Sequence, residues 1–260
     1  MPEFLATMFL WNQRAFRLAH GASQALFESV WMGLLPESAW DAVSQQSYGA
    51  GTQYTNPRYL DSGFSFWEAM AIERYFVAGS RVLVAAAGGG RELIALARAG
   101  FQADGFECCR PMVVAGQLAL AKRGINGKLE WAPPCEVPET AASCDAAIMG
   151  WNAYTYIAPR ERRIAFMRSL AMHLRPKAPV LVSAAMASER SRLAIWTPRI
   201  ANAVRRCTFR AAVLERGAGF PGRPRHQFIR KQIELELTEA GFSPVEFYQW
   251  GDFAALVCMS

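Results

Sequence analysis

Between Arg81 and Glu92 the chain reads Arg-Val-Leu-Val-Ala-Ala-Ala-Gly-Gly-Gly-Arg-Glu, and no side chain from Ala85 to Gly90 is larger than a methyl group. Val82, Leu83 and Val84 form the unbroken apolar run of a strand covered on both faces. Glu92 to Arg98 then carries helical spacing, and Gly100 stands where that helix should end. A strand that enters a helix through small residues only leaves room for something to lie against its backbone. The same turn would also serve as a tight connection with no ligand. Its surroundings decide between the two.

Phe101 to Glu107 reads as a second short strand that ends in an acid. Glu107 follows Gly90 by about 17 residues, close to where nucleoside-binding folds set a carboxylate against ribose hydroxyls. A helix from about Pro111 to Arg123 leads to a third strand at Lys128–Trp131, with Ala132, Pro133, Pro134 and Cys135 at its C-terminal end. A fourth strand, Asp145–Gly150, delivers Trp151, Asn152, Tyr154 and Tyr156 to the same edge, where open α/β sheets hold their ligands. A helix over Arg160–Leu174 and a strand over Pro179–Ser183 follow, and a last helix is expected from about Gln227 to Ala240. Val245–Trp250 and Phe253–Cys258 are separated by Gly251-Asp252 alone. So short a loop makes an antiparallel hairpin, because a parallel return needs a dozen or more residues.

On these residues the chain resembles the class I S-adenosylmethionine-dependent methyltransferases, from about Glu68 onward and least between Met186 and Gly222. Their first motif, Val-Leu-Asp-Leu-Gly-Cys-Gly-x-Gly, stands here as Val82 to Gly90. Val84 replaces the usual acid and Ala86 the first glycine. The resemblance implies an α/β fold with a mostly parallel seven-stranded sheet, a C-terminal antiparallel hairpin strand, helices on both faces and a helical N-terminal extension. It implies S-adenosylmethionine as cofactor, held by Ala85, Ala86, Ala87, Gly88 and Gly90, by Glu107 and Cys108, by Ala132 and Pro133, and by Gly150 and Trp151. The polar, Tyr/Gly-rich stretch from Ser47 to Ser65 reads as an ordered loop that would cover the site, with Tyr54 and Tyr59 facing the substrate. His226, Tyr154 and Asn152 are the candidates for the reaction face, His226 or Tyr154 serving as base if the acceptor must lose a proton.

Two units are expected, a helical extension with a lid loop over residues 1–65 and a Rossmann-like domain over 66–260. In the extension, Phe4, Met8, Trp11, Ala15 and Leu18 share one helical face, which could pack on the main domain or on a second copy of the chain. The net charge of +6 is concentrated in an insertion at about 186–222 and its flank, where eleven Lys or Arg face two acids between Glu189 and Lys231. Ile195, Trp196, Ile200, Val204 and Cys207 give that insertion an apolar stripe, and Phe209 reads as buried with it. Arg199, Arg206 and Arg210 would gate the acceptor, which is therefore expected to be a small or medium-sized acidic molecule. The lack of exposed aromatics between the arginines argues against nucleic acid. Six cysteines without paired metal-ligand spacing (Cys108 and Cys109 adjacent, the rest scattered), three distant histidines, no apolar run of membrane length, and Glu3 in place of a basic leader suit a cytoplasmic enzyme without a metal.

Two other classes remain open. A binding or scaffolding protein would keep the fold without the reaction, as the changes at Val84 and Ala86 suggest. A nicotinamide-dependent oxidoreductase fits less well, since aligning Gly88 and Gly90 puts Leu93 at the third glycine of the dinucleotide motif.

Overall fold

The computed structural model describes residues 20–49, 51–139, 143–187, 193–211 and 213–260. The apolar face proposed for Phe4 to Leu18 lies outside them. Helix α1 (20–34) and α2 (Glu37–Gly49) precede a short α3 (Pro57–Leu60) and α4 (Phe66–Tyr75). The stretch expected as a loop from Ser47 is thus shorter and partly helical. Asn56 starts α3 by accepting from Arg58 N, and Pro57 supplies the fixed φ of a first turn. Ser65 and Glu68 form a capping box at the start of α4.

The organising strand β1 (Arg81–Ala85) runs into α5 (Arg91–Arg98), followed by β2 (Gln102–Glu107), α6 (Arg110–Lys122), β3 (Leu129–Trp131) and β4 (Ala146–Met149). A 3-10 turn at Ala153–Tyr156 leads to α7 (Arg160–Met172) and β5 (Pro179–Ala185). Between β5 and the next long helix lie α8 (Leu193–Cys207) and the two-residue strands β6 (Ala218–Gly219) and β7 (Arg225–His226), the last beyond the bounds expected for the insertion. Helix α9 (Arg230–Glu239) and the hairpin β8 (Ser243–Trp250) and β9 (Phe253–Met259) end the fold. α9 starts later than its spacing predicts, because Phe228 is bonded as an extended residue: its N–H donates to Ala185 O (2.9 Å) and its carbonyl accepts from Ala187 N (2.7 Å).

The seven strands lie in the order β3-β2-β1-β4-β5-β9-β8, with only β9 antiparallel to its two neighbours. Alternation along the strands divides the core. Val82, Val84, Ile148 and Leu181 face α4, α5 and α6 through Trp67, Ile72, Leu93, Ile94, Leu96 and Leu120. Leu83, Ala85, Met149 and Val182 face α7 and α9 through Ile164, Met167, Leu170, Ile233 and Leu237. Each fully buried Leu or Ile contributes about 1.5–3 kcal/mol, so both faces of the sheet hold it in place. A third cluster of Met32, Trp40, Ala201, Leu214 and Phe220 ties α1 and α2 to α8 and β6.

Two expectations for the insertion fail. Trp196 is 56 % exposed and Phe209 fully exposed, so neither belongs to a buried stripe. The helix instead buries its small face: a Cβ at Gly33 would lie 2.6 Å from Val204 Cβ, so α1 and α8 meet almost backbone to backbone. Among the described residues no helix is long and apolar enough to cross a membrane.

Candidate functional site

The parallel register sets the C-terminal ends of β1, β2 and β4 side by side, on either side of the point where the sheet order reverses. A cavity opens there, with about 1080 Å³ of empty space including its mouth. Small-molecule pockets run to roughly 300–1,000 Å³. Ala86, Ala87, Gly88 and Gly89 form one wall, and the backbone closes on itself there through Gly90 N to Ala87 O at 2.9 Å. Ala86 holds φ +53° with its methyl exposed, a left-handed conformation at the position where the resembling family has glycine.

Glu107 ends β2 inside this cavity, 7 % exposed. Its Oε2 accepts from Gly88 N (3.0 Å) and its Oε1 from Cys109 N (2.8 Å), so the carboxylate joins the small-residue turn to the start of α6. Each oxygen keeps a further lone pair for a hydroxyl. Phe106, Met112, Pro133, Ile157 and Phe166 give the apolar side next to it. Cys108 and Cys135 also line the wall, and burial raises both thiols, Cys135 to about 11, so they are neutral at pH 7.

The far side of the cavity is aromatic. Tyr156, Tyr48, Tyr54, Tyr59 and Trp151 form an unbroken series of ring contacts with centroids 5.6–5.8 Å apart. Trp151 and Asn152 are consecutive non-glycine residues at positive φ (46° and 58°), a strained turn that projects the Trp151 ring outward. Ser183 Oγ holds it by accepting from Asn152 N at 2.7 Å. The roof is α2, which contributes Asp41, Ser44, Gln45 and Tyr48. Arg162 grips Asp41 with both terminal nitrogens (3.1 and 2.8 Å), and Arg223 lies 4.1 Å over Tyr48 and 4.5 Å over Tyr156 while donating to the Tyr156 hydroxyl at 3.1 Å. The lid segment sits directly on the turn: a Cβ at Gly89 would be 2.2 Å from Tyr54 O.

Of the residues expected in the site, Ala86, Ala87, Gly88, Glu107, Cys108, Pro133, Gly150, Trp151, Tyr54 and Tyr59 line the cavity. Ala85, Gly90 and Ala132 do not. Ala85 packs into the core, Gly90 caps α5, and Ala132 is buried with its N–H on Glu107 O (3.2 Å). The three reaction-face candidates also lie outside the wall. Tyr154 is stacked on Phe228 and donates to Glu236 Oε2 at 3.0 Å, in a buried cluster where Arg163 binds the same carboxylate. His226 is 1 % exposed, and burial beside Arg163 holds its pKa well below the usual 6.5, which leaves it neutral. Asn152 serves the turn through its backbone.

Arg199, Arg206 and Arg210 are not at the mouth. Arg199 lies over Trp196 of its own helix, Arg206 is exposed, and Arg210 donates to Leu34 O. Arg205 reaches Glu37 (3.2 Å) and Ala211 O (2.6 Å), so it is Arg205 and Arg210 that meet the segment of α1 and α2. Sequence reasoning overlooked the roof (Asp41, Ser44, Gln45 and Tyr48) and Glu92. The roof belongs to the helical extension, and nothing in its sequence says which way it folds back. Glu92 is an acid in the first turn of a helix, a position common enough to carry no site signal by itself.

No protein-family model matches this chain, and no curated protein matches it in sequence. Solved structures do. The Burkholderia thailandensis 1,6-didemethyltoxoflavin-N1-methyltransferase, solved with 1,6-didemethyltoxoflavin and S-adenosylhomocysteine, aligns with TM-score 0.63 at 15% identity over 87% of this chain and 91% of its own. The CcbJ methyltransferase of Streptomyces caelestis gives TM-score 0.58 at 15% identity over 81% and 96%. The [4+2]-cyclase SpnF gives 0.56 at 14% over 75% and 79%. With its strand order and final hairpin, the chain has the fold of the class I S-adenosylmethionine-dependent methyltransferases.

Proposed function

We propose that this chain transfers a methyl group from S-adenosylmethionine to a small, planar acceptor. The carrying observation is the pairing of Glu107 and the Ala86–Gly89 turn on one side of a cavity with an aromatic wall on the other. The donor set fits a nucleoside: a buried carboxylate anchored by two backbone N–H groups, with a flat apolar recess beside it. When bound, S-adenosylmethionine supplies an electrophilic methyl group on a sulfonium. Glu107 would accept from the ribose hydroxyls, and Phe106, Pro133 and Phe166 would flank the base. Tyr48, Tyr54, Tyr156 and Trp151 would stack the acceptor and keep water out.

No histidine, lysine or arginine lines the cavity among the described residues, and burial raises the Tyr48 and Tyr59 hydroxyls, which therefore act as hydrogen-bond donors rather than bases. An acceptor already nucleophilic at neutral pH needs only to be oriented, and orientation alone supplies much of such a rate. Arg223 packs on Tyr48 and Tyr156 rather than in the lining, and its charge would favour an acidic substituent on an acceptor stacked against those rings. Isothermal titration with S-adenosylmethionine and S-adenosylhomocysteine tests the reading, followed by incubation of labelled cofactor with metabolite extract. Absence of binding at high micromolar concentration would sink it.

A second reading, cofactor binding without methyl transfer, draws on Val84, on Ala86 and on a cyclase sharing the fold. It predicts cofactor binding with no labelled product from any extract.

A further inference from the structure

Beside Gly150 two buried carboxylates share one guanidinium. Glu68 is fully buried, Arg91 is 2 % exposed and Glu92 5 % exposed. Arg91 donates to both oxygens of Glu68 (2.8 and 2.5 Å) and to Glu92 Oε1 (2.8 Å). Every ion pair described for the two glutamates runs to Arg91. With both acids ionised, the cluster holds one negative charge more than it compensates. Buried charge of that kind is costly unless a cation meets it. Burial and the charge of Glu68 accordingly push the Glu92 carboxyl above its usual range.

Glu92 is the member of this trio that reaches the cavity wall. Asp41, Glu107 and Glu136 are the other charged residues of the cavity lining, and of these Asp41 is already paired with Arg162. Tyr59 and Trp151 line the cavity beside Glu92, and the Arg91 guanidinium lies 5.9 and 5.4 Å from their ring centroids, so the rings help to fix the cluster. Gly150 keeps the approach open, since a Cβ there would lie 2.6 Å from Glu92 Oε1.

We propose that Glu92 is the anionic anchor for a primary ammonium group on the bound molecule, with Arg91 and Glu68 fixing its carboxylate in place. The assignment rests on the proposed cofactor, whose amino-acid end carries such a group. The sulfonium is a second cation on the same molecule, so the test separates the two.

Wild type and Glu92→Gln would be titrated calorimetrically with S-adenosylhomocysteine, S-adenosylmethionine and 5′-methylthioadenosine. The glutamine keeps a hydrogen bond to Arg91 and removes only the charge. Glu92→Gln should weaken S-adenosylhomocysteine by about 10- to 100-fold, as expected for a charged hydrogen bond. 5′-Methylthioadenosine lacks the amino-acid end and should change by no more than about twofold, which also reports an intact cavity. Gly150→Ala, which crowds the same carboxylate, should give the same split and stands in if Glu92→Gln does not fold. An unaltered S-adenosylhomocysteine affinity would overturn the assignment. So would an equal loss for 5′-methylthioadenosine, which marks a structural role, or a loss confined to S-adenosylmethionine, which marks the sulfonium. Failure of wild type to bind all three ligands would instead overturn the cofactor reading, and the anchor with it.

Discussion

Gly89→Ala tests whether the lid segment must sit on the small-residue turn. Gly89 is not at positive φ, so alanine meets no backbone strain there and space alone decides. Its Cβ would stand 2.2 Å from Tyr54 O and 3.2 Å from Tyr54 C, whereas real Cβ contacts are essentially never under 3.0 Å. About 1 Å of movement is required. The turn cannot supply it, because α6 backs it closely: a Cβ on Gly116 would already be 3.0 Å from Gly89 O. The Tyr54 backbone must therefore withdraw, carrying a ring that contacts both Tyr48 and Tyr59. Overpacking of this size costs about 1–3 kcal/mol. Charged to lid docking, it should raise the dissociation constant of S-adenosylhomocysteine by about 5- to 150-fold. Limited proteolysis should cut the 51–58 segment faster while the circular-dichroism spectrum stays that of wild type. Unchanged affinity and unchanged proteolysis would refute the reasoning, and global unfolding would show that the turn yields before the lid.

Three further outcomes are expected. Ala86→Gly relieves a left-handed alanine, about 1–2 kcal/mol, and loosens the unfolded chain by about 0.4–1 kcal/mol, a net gain of roughly 0.5–1 kcal/mol; a lowered denaturation midpoint would contradict the strain. Glu107→Ala should weaken S-adenosylhomocysteine by about 1.5–3 kcal/mol and lower the melting temperature, since Gly88 and Cys109 lose their acceptor; unaltered binding would mean the ribose lies elsewhere. His226 is held neutral in the fold, well below the 6.5 of an unfolded chain, so protons bind the unfolded state first as pH falls. Stability should therefore decline as pH drops below about 6.5, and His226→Gln should flatten that part of the profile. Superimposable wild-type and variant profiles between pH 7 and 5 would dispose of the idea.

The fold was legible because its signals are local. The Val82–Val84 run, the small-residue turn, the acid at Glu107 and the two-residue hairpin each sit within a few residues of the structure they dictate. The cavity floor followed from the same signals. The candidates that missed the cavity share a different cause. Tyr154, His226 and Asn152 were placed by their nearness to a strand end, but a side chain's direction there depends on partners far along the chain. Glu236 draws Tyr154 inward across 82 residues, and Phe228 and Glu215 enclose His226. The arginines of α8 illustrate the same limit. Their spacing announces a charged face, yet its aim is set by where α1 and α2 fold back, through contacts such as Arg205 to Glu37 across 168 residues. Helical periodicity carries no information about that rotation.

The place of β9 bears on how the chain acquires this fold. It follows β8 in sequence yet lies between β5 and β8 in the sheet, with seven pairs on each side. During synthesis every element up to α9 leaves the ribosome before residues 253–259 do. Until they emerge, β5 presents an open, apolar edge, Val180 to Ala185, that has no neighbour to pair with. Such an edge is a template for another chain. β9, made after both of its neighbours, thus slots between β5 and the edge strand β8, and a nascent chain stalled before it would be a sticky intermediate rather than a small native core.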